Sequence, residues 1–144
     1  MKVVIKKPHA GDEEQAVFHI YDKTEKIEKA IELLQSPDSL TVFHENKAHM
    51  ISIDDIYYIE SFDLKTYVYS EKNVYQSKSK LFELELELSK ASFMRVSKQT
   101  VVNVRKIQNV APYGGGRFEA RLSNKERVII SRKYVPELKA RFGL

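Results

Sequence analysis

The chain has no cysteine among its 144 residues. That excludes a disulfide framework, a thiolate metal site and a cysteine nucleophile, and is compatible with a reducing cytoplasm. Long apolar runs are missing as well. The opening "MKVVIKKPHAGDEE" returns to charge too soon for a secretory signal, and no stretch approaches the ~18 apolar residues of a membrane span. A cytoplasmic protein without membrane insertion is expected. Histidine is scarce and without metal-ligand spacing: His44 and His49, at i and i+5 of extended chain, are expected on opposite faces, and neither metal nor cofactor is expected. Asp54 and Asp55 lack the companions of a phospho-receiver pocket and read as a turn between strands. With no Ser, His and acid trio and no paired carboxylates in a strained or Gly-rich setting, no enzyme is expected. The glycine cluster at 114–116 lacks the Gly-Lys-Ser/Thr of a phosphate loop and reads as a hairpin turn.

What is present is enough to fold. Hydrophobic residues make up 42% and charged residues 31%, with eight Tyr and seven Phe, a balance that suits one main domain with an extension. The charge is unevenly placed. Residues 91–144 hold twelve Lys/Arg against Glu119, Glu126 and Glu137, while residues 1–90 hold twelve basic and seventeen acidic groups. A surplus of nine positive charges over the last third points to a polyanionic partner there.

The pattern along the chain is mostly β. "KVVIK" (2–6) and "AVFHIY" (16–21) read as short paired strands, and "TEKIEKAIELL" (24–34) as an amphipathic helix capped by Thr24, so that residues 1–39 form a strand-strand-helix extension suited to association. From residue 40 onward, "LTVFHE", "KAHMIS", "IYYIES", "TYVYSE" and "NVYQSK" are short strands in an antiparallel arrangement. "SKLFELELELSKA" (79–91) alternates like a strand, yet Leu and Glu are good helix formers, and a helix capped by Ser79 is expected. "FMRV" and "VVNV", a hairpin around the glycines, "RVIIS" and a terminal helix "KYVPELKARF" complete the reading.

In the basic third, charge sits at joints: Lys98 between "FMRV" and "TVVNV", and Arg132 with Lys133 directly after "VIIS". Cationic side chains at the ends of rigid strands can reach into a DNA groove and meet guanine O6 and N7. The segments "FMRVSKQTVVNVRKI" and "LSNKERVIISRKYVPELK" resemble the LytTR family of bacterial DNA-binding domains, with Val102, Asn103, Ile107, Ser131, Arg132 and Tyr134 matching in type and order. Upstream, "DDIYYIES", "KTYVYSEKNVY" and "LFELELEL" are similar to the family's earlier strands and short helix, so the resemblance covers residues 40–144.

The resemblance implies a mainly β fold of several small, mostly antiparallel sheets with short helices. It also implies a transcriptional regulator that places loop side chains in successive major grooves of imperfect direct repeats, as a homodimer on the site. Base contacts are then expected from Lys65, Thr66, Lys98 and Arg132, and phosphate contacts from Arg95, Lys106, Arg117 and Lys133. Asn103 and Ser131 are expected to be structural. Residues 1–39 are too few for the receiver domain common in the family, which leaves control to an unknown regulatory protein or to abundance. Two other readings stand beside this one: an RNA- or single-strand-binding module stacking bases on Tyr57, Tyr58, Tyr67, Tyr69 and Tyr75, and a protein-interaction module using its basic face.

Overall fold

Two tight hairpins begin the main domain. Strand β1 (Ser39–His44) pairs with β2 (Lys47–Ser52) through a turn at Glu45 and Asn46. Strand β3 (Ile56–Phe62) pairs with β4 (Lys65–Ser70) through a turn at Asp63 and Leu64. Both two-residue turns have positive φ at each centre, the geometry that matches the right-handed twist of the flanking strands. Strands β5 (Val74–Ser77), β6 (Phe93–Arg95) and β7 (Thr100–Asn103) complete an antiparallel sheet of seven strands in the order β2-β1-β5-β4-β3-β7-β6. A second antiparallel sheet holds β8 (Ile107–Gly114), β9 (Arg117–Leu122) and β10 (Arg127–Ile130), in the order β10-β9-β8. The computed structural model describes residues 1–144, and no helix in it is long and apolar enough to cross a membrane.

The central strands are buried on both faces, which is why they read as continuous apolar runs rather than clean alternations. Leu40, Val42, Ile59, Val68, Phe93 and Val101 form one core with Leu81, Leu84 and Leu88 of helix α2 (Leu81–Glu87) and its C-terminal edge. Met94, Val96 and Val102, the sequence neighbours on the opposite face, form a second core. Its other wall is the three-stranded sheet, with Ala120, Leu122, Val128 and Ile130, and helix α3 (Val135–Phe142), with Val135 and Leu138. Two layers are thus joined through β3, β6 and β7.

The ambiguous "FELELEL" is helical because one helical face, not one strand face, is buried: Leu84 and Leu88 are enclosed while Leu86 is exposed. Its cap lies one residue beyond the expected Ser79. Lys80 is the N-cap residue and its N–H donates to Glu83 Oε1 at 3.1 Å, whereas the Ser79 N–H donates to Ser77 Oγ.

The expected strands at 2–6 and 16–21 do not form; residues 1–23 carry neither helix nor strand. A two-stranded ribbon is marginal without a covering layer, and Val3 and Ile5 remain 78% and 91% exposed with nothing packed on them. Helix α1 (Glu25–Gln35) forms as expected, with Thr24 Oγ1 accepting the Ile27 N–H at 3.4 Å. Ile27 is buried, Leu33 and Leu34 are exposed, and half of the helix's apolar stripe faces outward.

Pairing also overturns the expectation for the histidines. The β1–β2 register sets His44 opposite Lys47, so His49, two residues on, shares its face. The imidazoles lie 6.3 Å apart, and Tyr75 packs within 6.0 Å of His44 and 5.7 Å of His49.

Candidate nucleic-acid interface

The turn between β3 and β4, the 96–99 loop and the junction after β10 are far apart in sequence, and backbone hydrogen bonds bring them together. The Ser61 N–H, near the end of β3, donates to Gln99 O at 2.8 Å. The Ser131 N–H, just after β10, donates to Val96 O at 2.8 Å, and Ser131 O accepts the Tyr134 N–H that opens the terminal helix. The 96–99 loop is therefore the middle member of a row, held from both sides by main chain.

Its shape is held by Arg95. Nε donates to Ser97 O at 2.8 Å, Nη2 donates to Lys98 O at 2.8 Å, and Nη1 meets Glu85 Oε2 of α2 at 2.7 Å. Three of the five guanidinium N–H donors are thereby engaged within the protein, a role that the phosphate expectation for Arg95 did not include. It braces the loop that carries Lys98.

Asn103 is nearly sealed from solvent, at 1% exposure, and links three segments. Nδ2 donates to Ile56 O at 2.8 Å, and Oδ1 accepts from Ser92 Oγ at 2.8 Å and from the Arg105 N–H at 3.2 Å. It ties the far end of β7 to β3 and to the segment entering β6.

The remaining cations divide sharply. Lys65, Lys98, Arg117, Arg132 and Lys133 are exposed and make no ion pair. Arg105, Arg127 and Arg141, by contrast, meet Asp54, Glu119 and Glu137. Lys106 lies apart from this row: it follows the opposite end of β7 from the 96–99 loop, its Nζ lies 5.0 Å from the Tyr57 ring, and it borders a hollow with Asp55, Glu71 and Lys72. Thr66, between β3 and β5, is 6% exposed and so shows less surface than Lys65 beside it.

The glycine hairpin supports Arg132. Gly116 has φ 76°, and a Cβ placed there would stand 2.8 Å from Arg132 Cδ, so the aliphatic stem of Arg132 lies directly across this glycine. The glycines by themselves mark only a turn; their contact with Arg132 has no local sequence signal. Arg117 lies at the same tip, donating from Nε to Gly114 O at 3.2 Å with its guanidinium 5.0 Å from the Tyr113 ring. A cleft lined by Tyr58, Glu60, Ser97, Arg117, Arg127 and Ser131 separates the two sheets here. Tyr58 stacks on Tyr69 at 4.3 Å and 13°. Burial, aided by Glu126, pushes the Tyr58 phenol well above its ordinary range, and burial with Glu60 raises Tyr69.

Comparison with known proteins places the chain in a family and a fold. The family model described as "LytTr DNA-binding domain" matches residues 46–143. Sensory transduction protein LytT of Enterococcus faecalis is 23% identical over 138 residues, covering 92% of this chain and 57% of the relative. Transcriptional regulatory protein YpdB of Escherichia coli K12 is 26% identical over 103 residues, 71% of this chain and 42% of the relative. The chain thus spans about half the length of these curated relatives. A solved structure, the LytTr DNA-binding domain of a protein described as a methyl-accepting/DNA response regulator from Bacillus cereus, superposes with a TM-score of 0.71 at 28% identity. It covers 76% of this chain and all of that one.

Proposed function

Because the chain belongs to the LytTR family of DNA-binding domains, we propose that it is a cytoplasmic transcriptional regulator that reads duplex DNA with three loops. Lys65 on the β3–β4 hairpin, Lys98 on the 96–99 loop and Arg132 after β10 are the base-reading residues; Arg117 and Lys133 hold phosphates. The observation that carries this reading is the row of loops tied by Ser61–Gln99 and Ser131–Val96 hydrogen bonds, with exposed, unpaired cations on each loop. Rigid loops allow the side chains to be presented without a large ordering cost. Asn103 and Ser131 serve the frame that aims them.

Binding is to imperfect direct repeats, one copy per repeat and two copies per site, with residues 1–39 supplying contact between copies and a separate protein supplying control. The single-strand alternative has less support, because four of its five tyrosines are engaged: Tyr58 and Tyr69 stack on each other, Tyr57 is buried, and Tyr75 is packed against two histidines.

The test is the affinity of the full chain for a duplex enriched from a random pool and for a scrambled duplex, with Arg132→Ala beside the wild type. A guanidinium forked on guanine is worth about 1–3 kcal/mol of discrimination, so Arg132→Ala is expected to lose affinity for the enriched site and little for the scrambled one. An equal loss on both makes Arg132 a phosphate contact and removes the assignment.

A further inference from the structure

The tip of the β3–β4 hairpin is built against the preferences of backbone and solvent alike. Asp63 and Leu64 sit at φ 50° and 61°, the left-handed region that Gly, Asn and Asp tolerate and that costs a leucine strain. Leu64 is fully exposed, at 104%, and Phe62 beside it is 66% exposed. The β1–β2 hairpin is an internal control. It makes the same two-residue turn, at φ 50° and 62°, but with Asn46 in the second position. The fold therefore does not require leucine there, and water does not favour it.

What surrounds the tip identifies what does. Lys65 follows directly, and the β3 end is tied through Ser61 to Gln99, beside Lys98. An apolar partner on this tip would leave those cations facing a surface with nothing to pair them. A DNA duplex supplies phosphates and guanine edges for the cations and, in its major groove, one apolar group at each A·T pair, the 5-methyl of thymine. Resting on the DNA-reading function above, we infer that Leu64 is a specificity-determining residue that packs on thymine methyl groups, with Phe62 as its apolar neighbour. The hairpin then reads thymine by its apolar tip while Lys65 reads polar edges.

Deoxyuridine differs from thymidine only by that methyl, so it serves as the probe. Single thymines of the enriched duplex are replaced by deoxyuridine one at a time, and binding of the full-length wild type, Leu64→Ala and Leu64→Gly is measured. At one or two positions the wild type is expected to lose about fourfold in affinity, the worth of roughly one buried methyl group. Both variants are expected to bind the thymine duplex as weakly as the wild type binds the deoxyuridine one, and to be indifferent to the replacement. Leu64→Gly is also expected to melt at a higher temperature than the wild type, because it relieves the left-handed leucine. A wild type indifferent to deoxyuridine at every position overturns the inference while the cationic reading stands. Variants that weaken both duplexes equally overturn it in favour of a backbone or wedge contact, and a lower melting temperature for Leu64→Gly makes Leu64 a structural residue. Failure to enrich any duplex removes the DNA reading itself, and this inference with it.

Discussion

At the residue scale, the basic third contains two kinds of arginine that the sequence does not distinguish. Arg132 is free to meet a partner, whereas Arg95 is committed to Ser97 O, Lys98 O and Glu85. The difference is measurable. Each phosphate neutralised by a cation adds roughly −0.9 to the slope of log K against log salt. Lys133→Ala is expected to weaken all duplexes and to flatten that slope by about one unit, the effect of removing the phosphate contact proposed for it. Arg95→Ala is expected to leave the slope as it is and to reduce the preference for the enriched site, because it frees the loop carrying Lys98 without removing a DNA contact. Titrations at several salt concentrations separate the two, and a flattened slope for Arg95→Ala would return Arg95 to the phosphate class.

At the scale of elements, the three-stranded sheet is both a wall of the second core and a support for Arg132, the residue proposed to read a base. Its β8–β9 tip passes under Arg132 at Gly116, where the space for a Cβ is occupied by Arg132 Cδ. Gly116→Ala adds a methyl into that contact and places it at φ 76°. The backbone cost alone is about 1 kcal/mol, to be read as a lower urea midpoint with unchanged m-value. The displaced Arg132 stem is expected to reduce affinity for the enriched site beyond what the stability loss explains, because nearly all of the protein stays folded under the binding conditions. The hairpin was legible in the glycines themselves. Its role was not, because Gly116 and Arg132 approach each other only after β9 and β10 have paired.

For the whole molecule, the open question is the extension. Residues 1–23 form no regular structure, yet the segment is rich in exposed apolar side chains, among them Val3, Ile5, Val17 and Tyr21, and α1 turns Leu33 and Leu34 outward. Exposed apolar surface of this kind marks an association site when it is contiguous. Sedimentation of the full chain is expected to show dimer at concentrations where a chain beginning at Ser39 is monomeric, with the shorter chain still folded because both cores lie within residues 40–138. Identical monomers for both chains would leave the extension without this role.

The sequence by itself determined the β class, the strand positions from residue 39 onward, the helices and the concentration of positive charge in the last third. These follow from local propensity, alternation and composition, which act over a few residues. Tertiary structure alone decided which of the expected contact residues are presented together. Pairing of β3 with β7 and of Ser131 with Val96 gathered Lys65, Lys98 and Arg132. The same packing buried Thr66, sent Lys106 to the opposite end of β7 and spent Arg95 on the loop backbone. It also put His44 and His49 on one face through a hairpin register that counting along one strand cannot supply. The failure of the strands at 2–6 and 16–21 has the same cause. A β-type run becomes a strand only when a neighbouring layer covers it, and whether such a layer exists is a property of the whole chain.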